Sequence, residues 1–436
     1  MPTTTLPELL LTPHTFRVPL DYAQPGGEQL TVFARELVTP DRAGDDLPWL
    51  LFLQGGPGGL TTRPTGHEDW MTRALREYRV LLMDQRGTGL STPVTTRTLL
   101  RRGDAPAIAA YLKHFRADNI VRDAEAIRTV LTGGARWSIL GQSYGGFCAG
   151  TYLSFANQGL AEVYMTGGMP PDCSDPDAVY EATYQTVREK NARFYARYPE
   201  DAARARELAD YIAQHDVRLP DGARLTVRRF QQLGFKFGTR DGLEEVHYIL
   251  ERAMVDGAPS HEFGLTMIGA LTVETSPIFA ILHEACYTQG RASRWSAERL
   301  RAGLPEFDAP APAPVLFTGE MIYPWMFDDY PQLRPLRGAA QILAETGDWP
   351  ALYDARALRD NTVPVVAAVY GHDMYVDRGL SLQRAAGIGS LKVWQSSAHE
   401  HDGLRMDGAH VLGTLIDLMR GADTANHPAG AVTSPG

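Results

Sequence analysis

The hexapeptide Gly141-Gln142-Ser143-Tyr144-Gly145-Gly146 constrains this chain more than any other feature. It follows directly on Trp-Ser-Ile-Leu, a short apolar run of strand character, and the residues after it can form a helix. A G-x-S-x-G sequence between a strand and a helix is the signature of a nucleophile elbow. The turn is so tight that small residues are needed two positions either side of the serine, and it lifts the hydroxyl to the sheet edge at a helix N-terminus. A chance match in a glycine-rich loop is the bland alternative, and the strand before and helix after count against it. Ser143 is therefore the candidate nucleophile.

An elbow of this kind needs a buried sheet to stand on. Residues 30–38, 49–53, 80–83, 137–140, 163–166, 363–370 and 391–395 are rich in Val, Ile, Leu and Phe, with the continuous apolar character of strands buried on both faces. Helical stretches such as 120–132 lie between most of them, an alternation that predicts a mostly parallel sheet. From about residue 170 the style changes. Residues 180–198, 202–215 and 226–237 read as amphipathic helices, a Pro-rich loop covers 305–314, and the strand pattern resumes only at Val363. The expected organisation is an α/β core begun by 1–169, a mainly helical cap insertion over 170–360, the core completed by 361–421, and a small, polar, disordered tail over 422–436. A chain of 436 residues is long enough to bury such a core.

Two further glycine-containing turns follow strands. Gln54-Gly55-Gly56-Pro57-Gly58-Gly59 comes after 49–53, where backbone must approach a developing oxyanion closely. Gly56, ahead of Gly55, is the candidate for one N–H donor, and Tyr144, the residue after the nucleophile, for the other. No Gly-Lys-Ser/Thr follows, which argues against a phosphate-binding loop. Asp84-Gln85-Arg86-Gly87-Thr88-Gly89-Leu90-Ser91 ends the next strand and reads as a turn with a buried ion pair that braces the Gly loop.

Composition narrows the partners. A formal net charge of −10 argues against a nucleic-acid surface, which needs clustered Lys and Arg. Cys148, Cys173 and Cys286 are too few and scattered for a disulfide framework or a zinc site, so no metal is expected. The N-terminal residues lack the basic start and apolar run of a signal peptide, and no stretch of about 18 apolar residues could cross a membrane. A cytoplasmic setting is the simplest expectation.

Taken together and in this order, Gly-Gly-Pro-Gly-Gly, Asp-Gln-Arg-Gly-Thr-Gly-Leu-Ser and Gly-Gln-Ser-Tyr-Gly-Gly resemble the proline iminopeptidase family of serine peptidases. The likeness returns near the end of the chain, in Tyr-Gly-His-Asp-Met-Tyr-Val and Glu-His-Asp-Gly-Leu-Arg. The resemblance implies an α/β-hydrolase fold with an inserted helical cap, release of an N-terminal proline from peptides, and no cofactor. One departure is Gln54, where many relatives carry His before the glycines.

In this fold the acid and base follow the serine, each on a loop after a late strand. Asp373 lies just beyond 363–370 and is preferred over Asp377. His401 heads the family-like His-Asp-Gly-Leu-Arg and is preferred over His399 and over His410, which falls in the final helix expected at 408–419; His372 and His283 are read as structural or pocket residues. An aminopeptidase must also hold a cationic N-terminus, and a buried cation needs carboxylates. In relatives, glutamates of the helical cap bind the imino group. Glu284 and Glu320, in apolar and aromatic surroundings, look like theirs, with Glu274 a third possibility and an ordinary ion pair the plain alternative. Phe147, Tyr323 and Trp325 are candidates for an apolar slot around the proline ring, against plain core packing. The rival function is an esterase or amidase on the same scaffold, which has no need for Glu284 and Glu320. A catalytically dead scaffold protein is disfavoured because serine, acid and histidine all stand in the expected order.

Overall fold

Among the described residues the strand-forming runs assemble into one nine-stranded sheet. The structure is a computed structural model and describes residues 2–66, 69–172, 175–270 and 272–421. The tail at 422–436 lies outside these residues. The strands are β1 (Thr4–Leu6), β2 (Leu9–Pro19), β3 (Gln29–Val38), β4 (Trp49–Leu53), β5 (Arg79–Asp84), β6 (Trp137–Gln142), β7 (Leu160–Thr166), β8 (Val365–Tyr370) and β9 (Leu391–Ser396). Their spatial order is β1-β2-β3-β5-β4-β6-β7-β8-β9. The pairs from β5 to β9 are all parallel, while β1, β2 and β3 are antiparallel.

Side-chain alternation along the central strands explains why the sheet is buried on both faces. In β4, Leu50 and Phe52 pack with Val411, Leu412 and Leu415 of the helix Gly408–Met419. Leu51 and Leu53 face the other way, toward Ile120 and Ile127 of the helix Ala117–Thr132. Each such side chain contributes about 1.5–3 kcal/mol on burial. A strand with both faces covered reads as a continuous apolar run.

The two N-terminal strands have no counterpart in the expected pattern. Pro13 interrupts β2, and a proline inside a run demotes it as a strand. The structure accommodates Pro13 because β1 pairs only with residues 9–11 of β2, so Pro13 sits where one edge of the strand is open.

Between β7 and β8 the chain is mainly helical, beginning with Pro176–Arg197 and Asp201–Gln214. Arg116, buried on the core, ties this insertion down: its guanidinium donates to the carbonyls of Ala285, Thr288 and Pro350 and stacks on Trp349. The helix expected over 226–237 is instead a short α-helix, Val227–Gln231, capped by Thr226, running into the 3-10 helix Gln232–Gly238. The backbone there lies against the insertion's next layer, since a Cβ on Gly234 would fall 2.3 Å from the Thr318 carbonyl oxygen.

Candidate active site

The elbow stands at the C-terminal end of β6, in the middle of the parallel strands. Ser143 has φ 54° and ψ −125°, a backbone region that a non-glycine residue holds only when its surroundings fix it. Its N–H donates to the Thr166 carbonyl at the end of β7 (3.0 Å), and its own carbonyl accepts from Gly146 N–H (2.7 Å). The flanking glycines are sterically required. A Cβ on Gly145 would stand 1.8 Å from the Leu53 carbonyl oxygen, and one on Gly141 would stand 2.4 Å from that of Gly145.

The loop after β4 lies directly on this turn, since a Cβ on Gly55 would meet Gln142 Oε1 at 2.7 Å and Ser143 Cβ at 3.0 Å. Gly56 has φ 140°, open only to glycine, and it shares a small recess with Ser143 and Tyr144. Gln85 Nε2 donates to the Gln54 carbonyl at 2.9 Å, so the turn after β5 does brace the Gly loop. That turn carries two separate ion pairs. Asp84 pairs with Arg63 at 2.6 Å, and Arg86 pairs with Asp123 at 2.6 Å with both side chains fully buried.

The loops after β8 and β9 bring Asp373 and His401 together. His401 Nδ1 lies 2.8 Å from Asp373 Oδ2, while Asp373 Oδ1 accepts from the N–H groups of Tyr375 and Val376, both at 2.9 Å. Both residues are buried. Burial pulls the His401 pKa down, but the charge and hydrogen bond of Asp373, helped by Glu320 and Asp402, outweigh it, and the net direction is up. The other candidates are engaged elsewhere. Asp377 caps the helix Arg378–Ala385, His399 bonds Ser396 Oγ and Asp407, and His410 stacks on His399.

Sequence reasoning missed how firmly the insertion grips the His401 loop. His401 N–H donates to the Gly238 carbonyl (3.2 Å), Arg240 N–H to Asp402 Oδ1 (3.1 Å), and the buried Lys190 ammonium to Glu400 (2.5 Å). No local signal marks this pair: Lys190 stands in Arg-Glu-Lys-Asn-Ala-Arg and Glu400 in His-Glu-His-Asp, both polar stretches, 210 residues apart.

Ser143, His401 and Glu320 line one cavity of about 990 Å³, roofed from the insertion by Phe235, Ile278 and Phe279. Glu320 has no ion-pair partner among the described residues, and burial, with a smaller push from Asp373, raises its pKa to about 8 against the lowering effect of His401. Phe147 borders the recess beside Ser143, together with Tyr287.

Three expected pocket residues lie elsewhere. The Glu284 carboxylate is taken by the backbone N–H groups of Ser296 (3.1 Å) and Ala297 (3.0 Å), capping the helix Ser296–Arg301, and does not line the cavity. That helix has no side-chain cap of its own, because Trp295 stands at its N-cap, so its free N–H groups need a distant acceptor. Tyr323 bonds Tyr184 through the two hydroxyls (2.8 Å) and stacks on Trp325, whose ring is covered by Arg228. Both belong to the packing of the insertion. The Glu274 side chain lies outside the described residues. Among the described residues no cluster of three or more His, Cys, Asp or Glu could hold a metal, and no helix is long and apolar enough to cross a membrane.

Comparison with known proteins bears on the family. A family profile described as alpha/beta hydrolase fold matches residues 48–241. A proline iminopeptidase of Aeromonas sobria is 48% identical over 409 residues, 94% of this chain and 96% of that protein. A proline iminopeptidase of Aspergillus aculeatus is 36% identical over 422 residues, 92% of each chain. The solved proline iminopeptidase of Mycobacterium smegmatis overlays 94% of this chain and 100% of its own at 15% identity and a TM-score of 0.44, too loose to bear on the site. On the strength of the two sequence relatives, the chain belongs to the proline iminopeptidase family of α/β-hydrolases.

Proposed function

We propose that this enzyme is a serine aminopeptidase that releases an N-terminal proline from peptides, with Ser143, His401 and Asp373 as its triad. His401, held in the productive tautomer by Asp373, takes the Ser143 proton as the hydroxyl oxygen attacks the carbonyl carbon of the N-terminal residue. The backbone N–H groups of Gly56 and Tyr144 hold the tetrahedral oxyanion. His401 then protonates the leaving amine, the C–N bond breaks, and water, deprotonated by His401, hydrolyses the acyl-enzyme to free proline.

The observation that carries the aminopeptidase reading is Glu320. A carboxyl group without an ion-pair partner among the described residues faces the cavity that holds Ser143 and His401. An esterase site has no use for such a group, whereas a cationic N-terminus compensates it. Phe235, Ile278 and Phe279 supply an apolar roof for the pyrrolidine ring. Residues 170–360 act as the cap that limits entry to a chain end. The buried free thiol of Cys148 suits a reducing, cytoplasmic setting.

The test compares three substrates: proline β-naphthylamide, N-acetyl-proline β-naphthylamide and a short-chain ester. Cleavage confined to the free imine is the expected result. Ester turnover without proline amide cleavage would move the assignment to an esterase.

A further inference from the structure

One buried polar side chain beside Ser143 has no part in the mechanism above. His283 follows the helix Pro277–Leu282 and is 3% exposed. Neither of its ring nitrogens makes a hydrogen bond of ordinary length and angle among the described residues; the Glu320 backbone acts on the ring as a weaker acceptor, against the effect of burial. Buried polar groups are nearly always bonded, so an orphan needs a reason. The ring is held by aromatic neighbours, with Phe279 at 4.9 Å and Tyr287 at 5.5 Å between centroids. It borders the recess that Ser143, Tyr144, Phe147 and Glu320 also border.

The recess has a volume of about 10 Å³, room for one water or one amine nitrogen with its hydrogens and too little for a pyrrolidine ring. In a bound N-terminal residue only Cα separates the nitrogen from the carbonyl carbon that Ser143 attacks, so the nitrogen must lie close to Ser143. A protonated secondary amine has two N–H donors. Glu320 can accept one. Glu284, the second carboxylate the sequence offers, is bound to Ser296 and Ala297 and leaves the other donor unmatched. Burial lowers the His283 pKa to about 4, so at neutral pH the ring is uncharged and one nitrogen keeps an acceptor lone pair.

We propose that His283 is a specificity-determining residue: its neutral imidazole accepts one N–H of the substrate's protonated N-terminal nitrogen while Glu320 accepts the other. This rests on the reading of Glu320 given above. It predicts that the enzyme counts donors, preferring an N-terminal nitrogen with two N–H groups to one with a single N–H.

The test uses proline β-naphthylamide and its N-methylproline counterpart, whose protonated nitrogen has one N–H. An uncharged fluorophosphonate that labels Ser143 reports whether the site is intact. His283→Phe should lower kcat/KM for the proline substrate about ten- to a hundredfold, the worth of one hydrogen bond from a charged donor. It should change N-methylproline turnover and phosphonylation less than about threefold. His283→Leu serves if phenylalanine is not accommodated, and His283→Gln, which restores an acceptor, should recover part of the loss. Equal losses on both substrates and on phosphonylation, or no loss at all, would reduce His283 to packing and overturn the proposal. Glu320→Gln separates the two readings. If it cripples proline turnover while His283→Phe does not, only the role of His283 falls; if it leaves proline turnover unchanged, the assignment of Glu320 falls as well.

Discussion

Substituting Glu320 by glutamine should change the pH dependence of the enzyme as well as its rate. The carboxyl has a pKa of about 8 in the free enzyme because burial disfavours its charge. At pH 7 about one tenth of the molecules therefore carry the carboxylate that a cationic substrate requires, and each pH unit below 8 removes a further factor of about ten, or 1.4 kcal/mol. His401 adds to the same acidic limb, since the base must be neutral and its pKa is raised. The alkaline limb comes from the substrate, whose amine loses its proton near pH 8. A narrow bell in kcat/KM centred near pH 8 follows for wild type. Removing one partner of a buried ion pair costs about 3–5 kcal/mol, so Glu320→Gln should lower kcat/KM for proline β-naphthylamide by roughly two to three and a half orders of magnitude at pH 8 and above. The deficit should shrink about tenfold per unit at lower pH, where wild type has already lost its carboxylate. Initial rates of both proteins from pH 6 to 9 measure this. A ratio that stays constant with pH, or one below threefold throughout, would refute the argument.

Other substitutions separate chemistry from scaffold. Asp373→Asn keeps an acceptor for the Tyr375 and Val376 N–H groups but presents an amide donor to His401, favouring the wrong tautomer; kcat should fall about 10⁴-fold with an unchanged urea midpoint. Glu284→Gln should leave kcat/KM within about threefold and cost roughly 1–3 kcal/mol of stability by urea titration, because its carboxylate caps a helix. Asp123→Asn strands Arg86 in the core and should cost about 3–5 kcal/mol, most of it recovered in an Arg86→Met, Asp123→Leu double variant.

The parts of the site legible in the sequence are those that strand geometry dictates. Strands buried on both faces are continuous apolar runs, and the loops at their C-terminal ends fall where the next polar residues begin, which is how Ser143, Asp373 and His401 could be located. The choice between His401 and His399 depends on which side of one turn faces the cavity, and in the sequence only the family-like His-Asp-Gly-Leu-Arg favours His401. Glu284 shows the limit. Apolar neighbours announce that a carboxylate is buried, but not that it faces two backbone N–H groups twelve and thirteen residues away. Tyr323 and Trp325 failed as pocket candidates for a similar reason: aromatic side chains fill a helical insertion as readily as they line a slot. The turn was expected to hold a buried ion pair, but Arg86 and Asp84 each find a partner outside it, Asp123 and Arg63, and partners 37 and 21 residues away leave no local trace.

The most direct test of the central claim is covalent titration of the nucleophile. Wild-type protein is treated with increasing amounts of a serine-directed fluorophosphonate, and proline β-naphthylamide hydrolysis is followed alongside peptide mapping by mass spectrometry. The account predicts one adduct per chain, on Ser143, with activity lost in proportion to labelling and no adduct in Ser143→Ala. An adduct on another residue, or full labelling of Ser143 with proline release intact, would contradict it.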